Sequence, residues 1–276
     1  SLTDKVMNKK NIIPLILSSL LFCSCDLFRL DNYDAPSETL YGQVIDSKTG
    51  DPVLTDQGSE GIRVRLIETS WEGNVTPQDF YCRPDGSFQN TRLFEADYNV
   101  RVDGPFVPLV METEDGTPVK DESVNLHLKG KKEVIFRVQP FLKVEFDGTP
   151  TISAGKVFAN VKVTRATSRD ELAQAFAPTG NWKAAYGNVT DIQLFVSYSS
   201  TVGYRNRDNR WSSEIKYTGT SFDALEGKSI SIKTNGTIPS GRKVFIRAAA
   251  RINCDTPSGS GTKRWNYSEP IEIDIP

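Results

Sequence analysis

From Leu40 to the C-terminus, apolar residues recur at every second position in short runs, and clusters of Gly, Pro, Asp and Asn separate the runs. A period of two places alternate side chains on opposite faces of an extended strand, whereas an amphipathic helix needs a period near 3.6. Only Arg169 to Ala177 (RDELAQAFA) suggests the longer period, for one or two turns. The chain is therefore expected to be all-β.

The first strand reads as Tyr41 to Asp46, closed by the turn formers Asp46 and Thr49-Gly50 and released by Pro52. Ile62, Val64 and Leu66 alternate with Arg63 and Arg65 in a half-buried strand, and Phe80 and Cys82 share the face of the next. Pro84-Asp85-Gly86-Ser87 predicts a hairpin turn, with proline presetting φ and glycine free to take a positive one. Tyr98, Val100 and Val102 form one further face; Val124-Leu126-Leu128 and Val134-Phe136-Val138 read as a pair joined by Gly130-Lys131-Lys132. Pro140 is the natural boundary, since proline inside a central strand removes a ladder donor. Beyond it Leu142-Val144-Phe146, Val157 to Thr164, Ile192-Leu194-Val196-Tyr198, Ile230-Ile232, Val244 to Cys254 and Ile271-Ile273-Ile275 predict a second set. About seven short strands on each side of the boundary fit two consecutive β-sandwich domains, at 39–139 and 140–276.

The pattern changes upstream. In Met7 to Cys25 (MNKKNIIPLILSSLLFCSC) a short cationic stretch precedes an apolar run, Ile12 to Phe22, that is too short for a mature membrane span. Ser24 supplies the small residue an export peptidase needs. Phe22-Cys23-Ser24-Cys25 resembles the bacterial lipobox, which implies acylation of Cys25 as the first mature residue, a signal peptide over 1–24 and a tether over 25–38. An ordinary secretory signal cut near Ser24 is the other reading, and Cys23 is disfavoured because bulky Phe22 would then occupy the cleavage position.

The motifs GQVIDSKTGDPV, PDGSF and LFEADYNVRV resemble the carboxypeptidase-regulatory-like, or transthyretin-like, β-sandwich, with Asp97 standing where that pattern has Gly before Tyr. The wider run from DNYDAPSETLYG to GPFVP resembles two-domain Bacteroidetes lipoproteins found beside starch-utilisation-type pairs of outer-membrane porin and binding lipoprotein. The ending, Trp265 to Ile275 after a long apolar strand, resembles the last strands of a fibronectin type III or immunoglobulin-like domain. The resemblance implies an outer-membrane lipid anchor, on the surface or periplasmic face, and a possible polysaccharide ligand or porin partner; it implies no catalytic residues and no cofactor.

Charge and cysteines narrow the chemistry. Loss of residues 1–24 removes Asp4 with Lys5, Lys9 and Lys10, taking the net charge from −2 to −4, which argues against nucleic acid as a partner. Beyond the signal and Cys25 only Cys82 and Cys254 remain, each in an alternating apolar strand, and both are expected to be buried free thiols. The single histidine, His127, lies between Leu126 and Leu128 and so points away from the core, which leaves nucleophilic triads without a base. Glu112, Glu114, Asp115, Asp121 and Glu122 could supply a glycosidase's paired carboxylates, but their Gly/Pro-containing loop suits solvation or a weak calcium site better than acid–base work, and Asp46, Asp51 and Asp56 invite a similar calcium reading. What remains is aromatic residues in polar loops. Tyr204, Arg205, Arg207 and Trp211 in YRNRDNRW, Trp182 in TGNWK and Trp71 in TSWEG combine rings with amides and guanidiniums, the chemistry a sugar needs. The competing reading folds such rings over the end of a sandwich core, as expected for Trp265. The sequence thus points to a non-enzymatic lipoprotein that binds glycan through these loops, or to a scaffold that docks proteins without sugar.

Overall fold

A computed structural model describes residues 34–256 and 263–276. The segments read above as signal peptide and lipobox, and most of the expected tether, lie outside the described residues. Residues 37–276 form one compact unit.

The first half contains β1 (Glu38–Asp46), β2 (Arg63–Glu68), β3 (Gln78–Tyr81), β4 (Ser87–Leu93), β5 (Ala96–Asp103), β6 (Val110–Glu112), β7 (Pro118–Asp121), β8 (Val124–Leu128) and β9 (Lys131–Val138). Two sheets, β4-β1-β9 and β3-β2-β5-β8, enclose a core that includes Leu40, Val44, Val64, Phe88, Val100 and Phe136. Gly42 is required on β1, because a Cβ there would lie 1.8 Å from the carbonyl oxygen of Val134 and against the Phe88 ring. The expected hairpin forms at Gly86, whose φ is +78° and whose N–H donates to the Arg83 carbonyl at 2.9 Å.

Two expectations fail here. β8 and β9 do not pair with each other: β8 joins β5, and β9 runs parallel to β1 in the opposite sheet. The link at Lys129-Gly130 crosses between sheets, a choice that alternation cannot encode because either pairing buries the same face. Arg63, on the polar side of its strand, is buried, with Nη2 2.6 Å from Asp103 Oδ2 on the neighbouring strand.

The second half contains β10 (Leu142–Phe146), β11 (Thr151–Ser153), β12 (Lys156–Arg165), helix α1 (Arg169–Phe176), β13 (Val189–Ser197), β14 (Ser213–Lys216), β15 (Ser229–Lys233), β16 (Arg242–Ile252), β17 (Asn266–Tyr267) and β18 (Ile271–Ile275). β12 carries β10 and β11 on one edge and β15 on the other; β13 and β16 form the centre of the facing sheet. Ile192, Leu194 and Val196 enter the core between them, as the alternation predicts. Helix α1 starts where expected, because Ser168 and Glu171 form a reciprocal capping box. The protein is nearly all-β, with β-sandwich architecture.

Candidate functional site

β12 places Val157, Ala159, Val161 and Val163 in the core, so Phe158, Asn160 and Lys162 point outward. β15 does likewise, burying Ile230 and Ile232 and presenting Ser229, Ser231 and Lys233. The antiparallel register sets Phe158 beside Lys233 and Asn160 beside Ser231, and on its other side Phe158 faces Thr151 of β11. Phe158 remains 40% exposed although it lies within a strand. Around it is a shallow groove of about 410 Å³ lined by Thr149, Thr151, Asn160, Ser231 and Lys233. The Lys233 ammonium lies 6.0 Å from the ring centroid, and the Ser231 hydroxyl donates to Asn160 Oδ1 at 2.9 Å, which orients the amide. A phenyl ring ringed by hydroxyls, an amide and an ammonium offers an apolar face and polar partners together. Strands hold these groups more firmly than a loop can.

The loop residues expected to bind ligand are placed otherwise. Trp211 is 3% exposed and belongs to the second core, with Tyr198 edge-on at 5.3 Å and the Arg210 guanidinium 4.4 Å above the ring. Tyr204 stacks on Trp265 at 4.7 Å, with Arg207 3.9 Å from its centroid and donating to the Tyr204 carbonyl. Arg205 donates its backbone N–H to Asp56 Oδ2 at 2.9 Å and Nη1 to the Ser59 hydroxyl at 3.0 Å. Trp182 is half-buried and stacked on Phe176 at 4.7 Å. Of the four aromatic residues among the six, only Trp71 is exposed, at 72%, with its indole N–H on Glu68. The 204–211 loop is therefore a clasp: it covers the outer face of β13 and β16 and reaches the first sandwich through Asp56.

The clasp has a buried centre. Arg247 of β16 donates to the carbonyls of Ser268 at 2.7 Å and Thr55 at 2.9 Å, and burial pulls its pKa below the ordinary arginine value. The Tyr267 hydroxyl lies 3.2 Å from Asp56 Oδ2; burial, then the Asp56 charge, pushes its pKa well up. Trp265, the ring expected in the core, is buried and donates Nε1–H to Asp191 Oδ2 at 2.9 Å. Burial raises the Asp191 pKa, yet bonds from Arg251, Gln193 and Trp265 outweigh it and hold the carboxyl below its usual range.

The remaining chemistry is local. His127 projects into solvent with Nδ1 2.8 Å from Asp97 and Nε2 3.4 Å from Glu95, and those carboxylates raise its pKa, Asp97 most. Asp115 and Asp121 accept from the backbone of Thr117 and Ser123, Asp46 accepts from Lys48 N–H, and Asp56 is committed to the clasp. Among the described residues no group of three or more His, Cys, Asp or Glu could hold a metal ion. Cys82 and Cys254 are free and buried; burial pushes the Cys254 thiol up to about 12 and Cys82 higher still.

Residues 38–139 match the N-terminal domain of the family described as a protein of unknown function, DUF3823. The solved structure of a DUF3823 family protein from Bacteroides uniformis ATCC 8492 is 62% identical, with a TM-score of 0.85 over 87% of this chain and 100% of that chain. The chain belongs to the DUF3823 family. A second B. uniformis protein, provisionally named a carbohydrate-binding protein, shares the fold at 19% identity with a TM-score of 0.61, covering 87% of this chain and all of that one. A DUF3823 protein from Parabacteroides merdae ATCC 43184 does so at 17% identity and 0.56, with the same coverage. Among curated proteins none matches the chain. In this DUF3823 chain the matched N-terminal domain holds Trp71, whereas the Phe158 face lies beyond it. A signal for that face was present in KVFANVKV, where an aromatic occupies an outward position of an alternating strand.

Proposed function

We propose that the chain is a non-enzymatic, lipid-anchored protein of the outer membrane that holds polysaccharide on the β11-β12-β15 face, accessory to a porin and binding-lipoprotein pair. The observation that supports this most directly is Phe158, a half-exposed ring fixed on a strand among Thr151, Asn160, Ser231 and Lys233. A pyranose lays its C–H face on such a ring while its hydroxyls pair with the surrounding amide, hydroxyls and ammonium. The provisional naming of a structural neighbour agrees with the reading, as does the lipobox at Cys25. A scaffold that binds no sugar is the rival, favoured by the burial of Trp211 and Trp265.

Native gels containing a panel of neutral and acidic polysaccharides separate the two. At least one polysaccharide is expected to retard the wild type, and Phe158→Ala to weaken that affinity tenfold to hundredfold, about 1–3 kcal/mol, with the melting temperature unchanged. A wild type that no polysaccharide retards makes the scaffold reading the correct one.

A further inference from the structure

Four segments meet at the end of the first sandwich from which the N-terminal segment leaves. Glu38 pairs with Leu93, and the Gly130 N–H donates to the Glu38 carboxylate, which puts Phe94 and Lys129 to Lys132 beside the start of β1. Thr69 N–H donates to the Asp97 carbonyl and Asp97 N–H to the Ser70 hydroxyl, so Trp71 comes to the same end. Trp71 is 72% exposed and Phe94 51%. The clasp to the second sandwich, at Thr55 and Pro84, lies beyond Val44, whose backbone bonds Val53 and Gly86, about 20 Å away along the six steps of β1 from Glu38.

We propose that this end of the first sandwich rests on the bilayer surface, with Trp71 and Phe94 seated among the lipid headgroups. The inference rests on acylation of Cys25. That residue precedes Glu38 by thirteen positions, a reach of at most about 45 Å, and this pole is where the chain that leads from it enters the folded unit. The chemistry of the pole fits an interface. The Trp71 indole N–H already donates to Glu68 at 2.7 Å, leaving the ring to cover hydrocarbon, the arrangement that enriches Trp at membrane–water boundaries. Lys131 and Lys132 are exposed and make no ion pair among the described residues; their stems can lie along the surface while the ammonium groups meet lipid phosphates. Lys129 is held by Glu95 at 3.0 Å and His127 by Asp97, so the pole has no strong positive field and the aromatic rings carry the contact. The several acyl chains of such an anchor hold the protein stably by themselves, and apolar burial beside them orients the folded unit on the surface. The Phe158 face, on the second sandwich, is then carried away from the membrane.

The full acylated protein, reconstituted in vesicles of phosphatidylethanolamine and phosphatidylglycerol with a phosphatidylcholine brominated near the headgroup end of its chains, tests this. Bromine is expected to quench part of the tryptophan emission, Trp71→Phe to remove that quenching, and Phe94→Trp in the Trp71→Phe background to restore it. Equal quenching of the wild type and Trp71→Phe, with the acyl chains verified by mass spectrometry, overturns the pole contact while leaving the anchor intact. An unacylated Cys25 overturns the anchor itself and takes the proposal with it. A polysaccharide that shields Trp71 from aqueous quencher where vesicles do not assigns the pole to sugar and also overturns it.

Discussion

Arg247, midway along β16, donates from Nη1 to the carbonyl of Thr55 at 2.9 Å, so a buried guanidinium pins the central strand of the second sandwich to a loop of the first. The same group reaches Ser268 and lies 4.6 Å over the Tyr267 ring. A charge removed from water is tolerated only where its donors are satisfied, and here backbone carbonyls do most of that work.

Arg247→Ala should therefore destabilise more than a surface change does. It strands the Thr55 and Ser268 carbonyls, at about 1–3 kcal/mol for each buried acceptor without a donor. Urea unfolding followed by circular dichroism is expected to show a lower midpoint, and the two halves to separate into two transitions. An unchanged midpoint would mean that water replaces the guanidinium at no cost.

Trp211→Ala should act on stability alone. Its ring fills the core next to Tyr198, and removal of such a side chain costs about 3–5 kcal/mol. The melting temperature is expected to fall by many degrees with retardation by polysaccharide intact at lower temperature. Loss of retardation with normal melting would return the 204–211 loop to the role of a sugar platform.

Acid should weaken one cross-link between the halves. Lys48, after β1, meets Glu171 of α1 at 2.7 Å, and that bond, with the Ser168 N–H, holds the Glu171 pKa at about 2 against an ordinary 4.5. The folded state then binds fewer protons than the unfolded, so the contribution is complete above pH 4.5 and is lost as pH falls from there towards about 2. Both side chains are exposed, and salt screens the pair. Thermal melts of wild type and Lys48→Met are expected to differ most above pH 4.5 and to converge towards pH 2. A gap that stays constant through that window rules out the linkage.

The period-two pattern was legible because a sheet face either meets a core or does not, and one residue of slip would move every side chain to the wrong side. Ile192, Leu194 and Val196 went inward for that reason, and His127 outward. Arg247 was not legible by the same rule. In KVFIRAAARI the alternation assigns it to the outer face correctly, but says nothing of the 204–211 loop and the Thr55 segment that cover that face. The Ala249, Trp265 and Tyr267 cluster beside it was the available sign, since apolar residues on both faces of a strand mark a sheet covered twice.

By itself the sequence determined the all-β class, the inward faces of most strands, the turn at Gly86, the short helix and the free thiols, because each follows from spacing or from a few adjacent residues. Which strands pair, whether an aromatic loop is a platform or a clasp, and which ring is left in solvent were decided only by tertiary structure. Those outcomes depend on partners distant in the chain: β9 lies against β1, Arg205 against Asp56, and Trp211 under Tyr198, while Phe158 finds Lys233 from β15 beside it and nothing above it among the described residues.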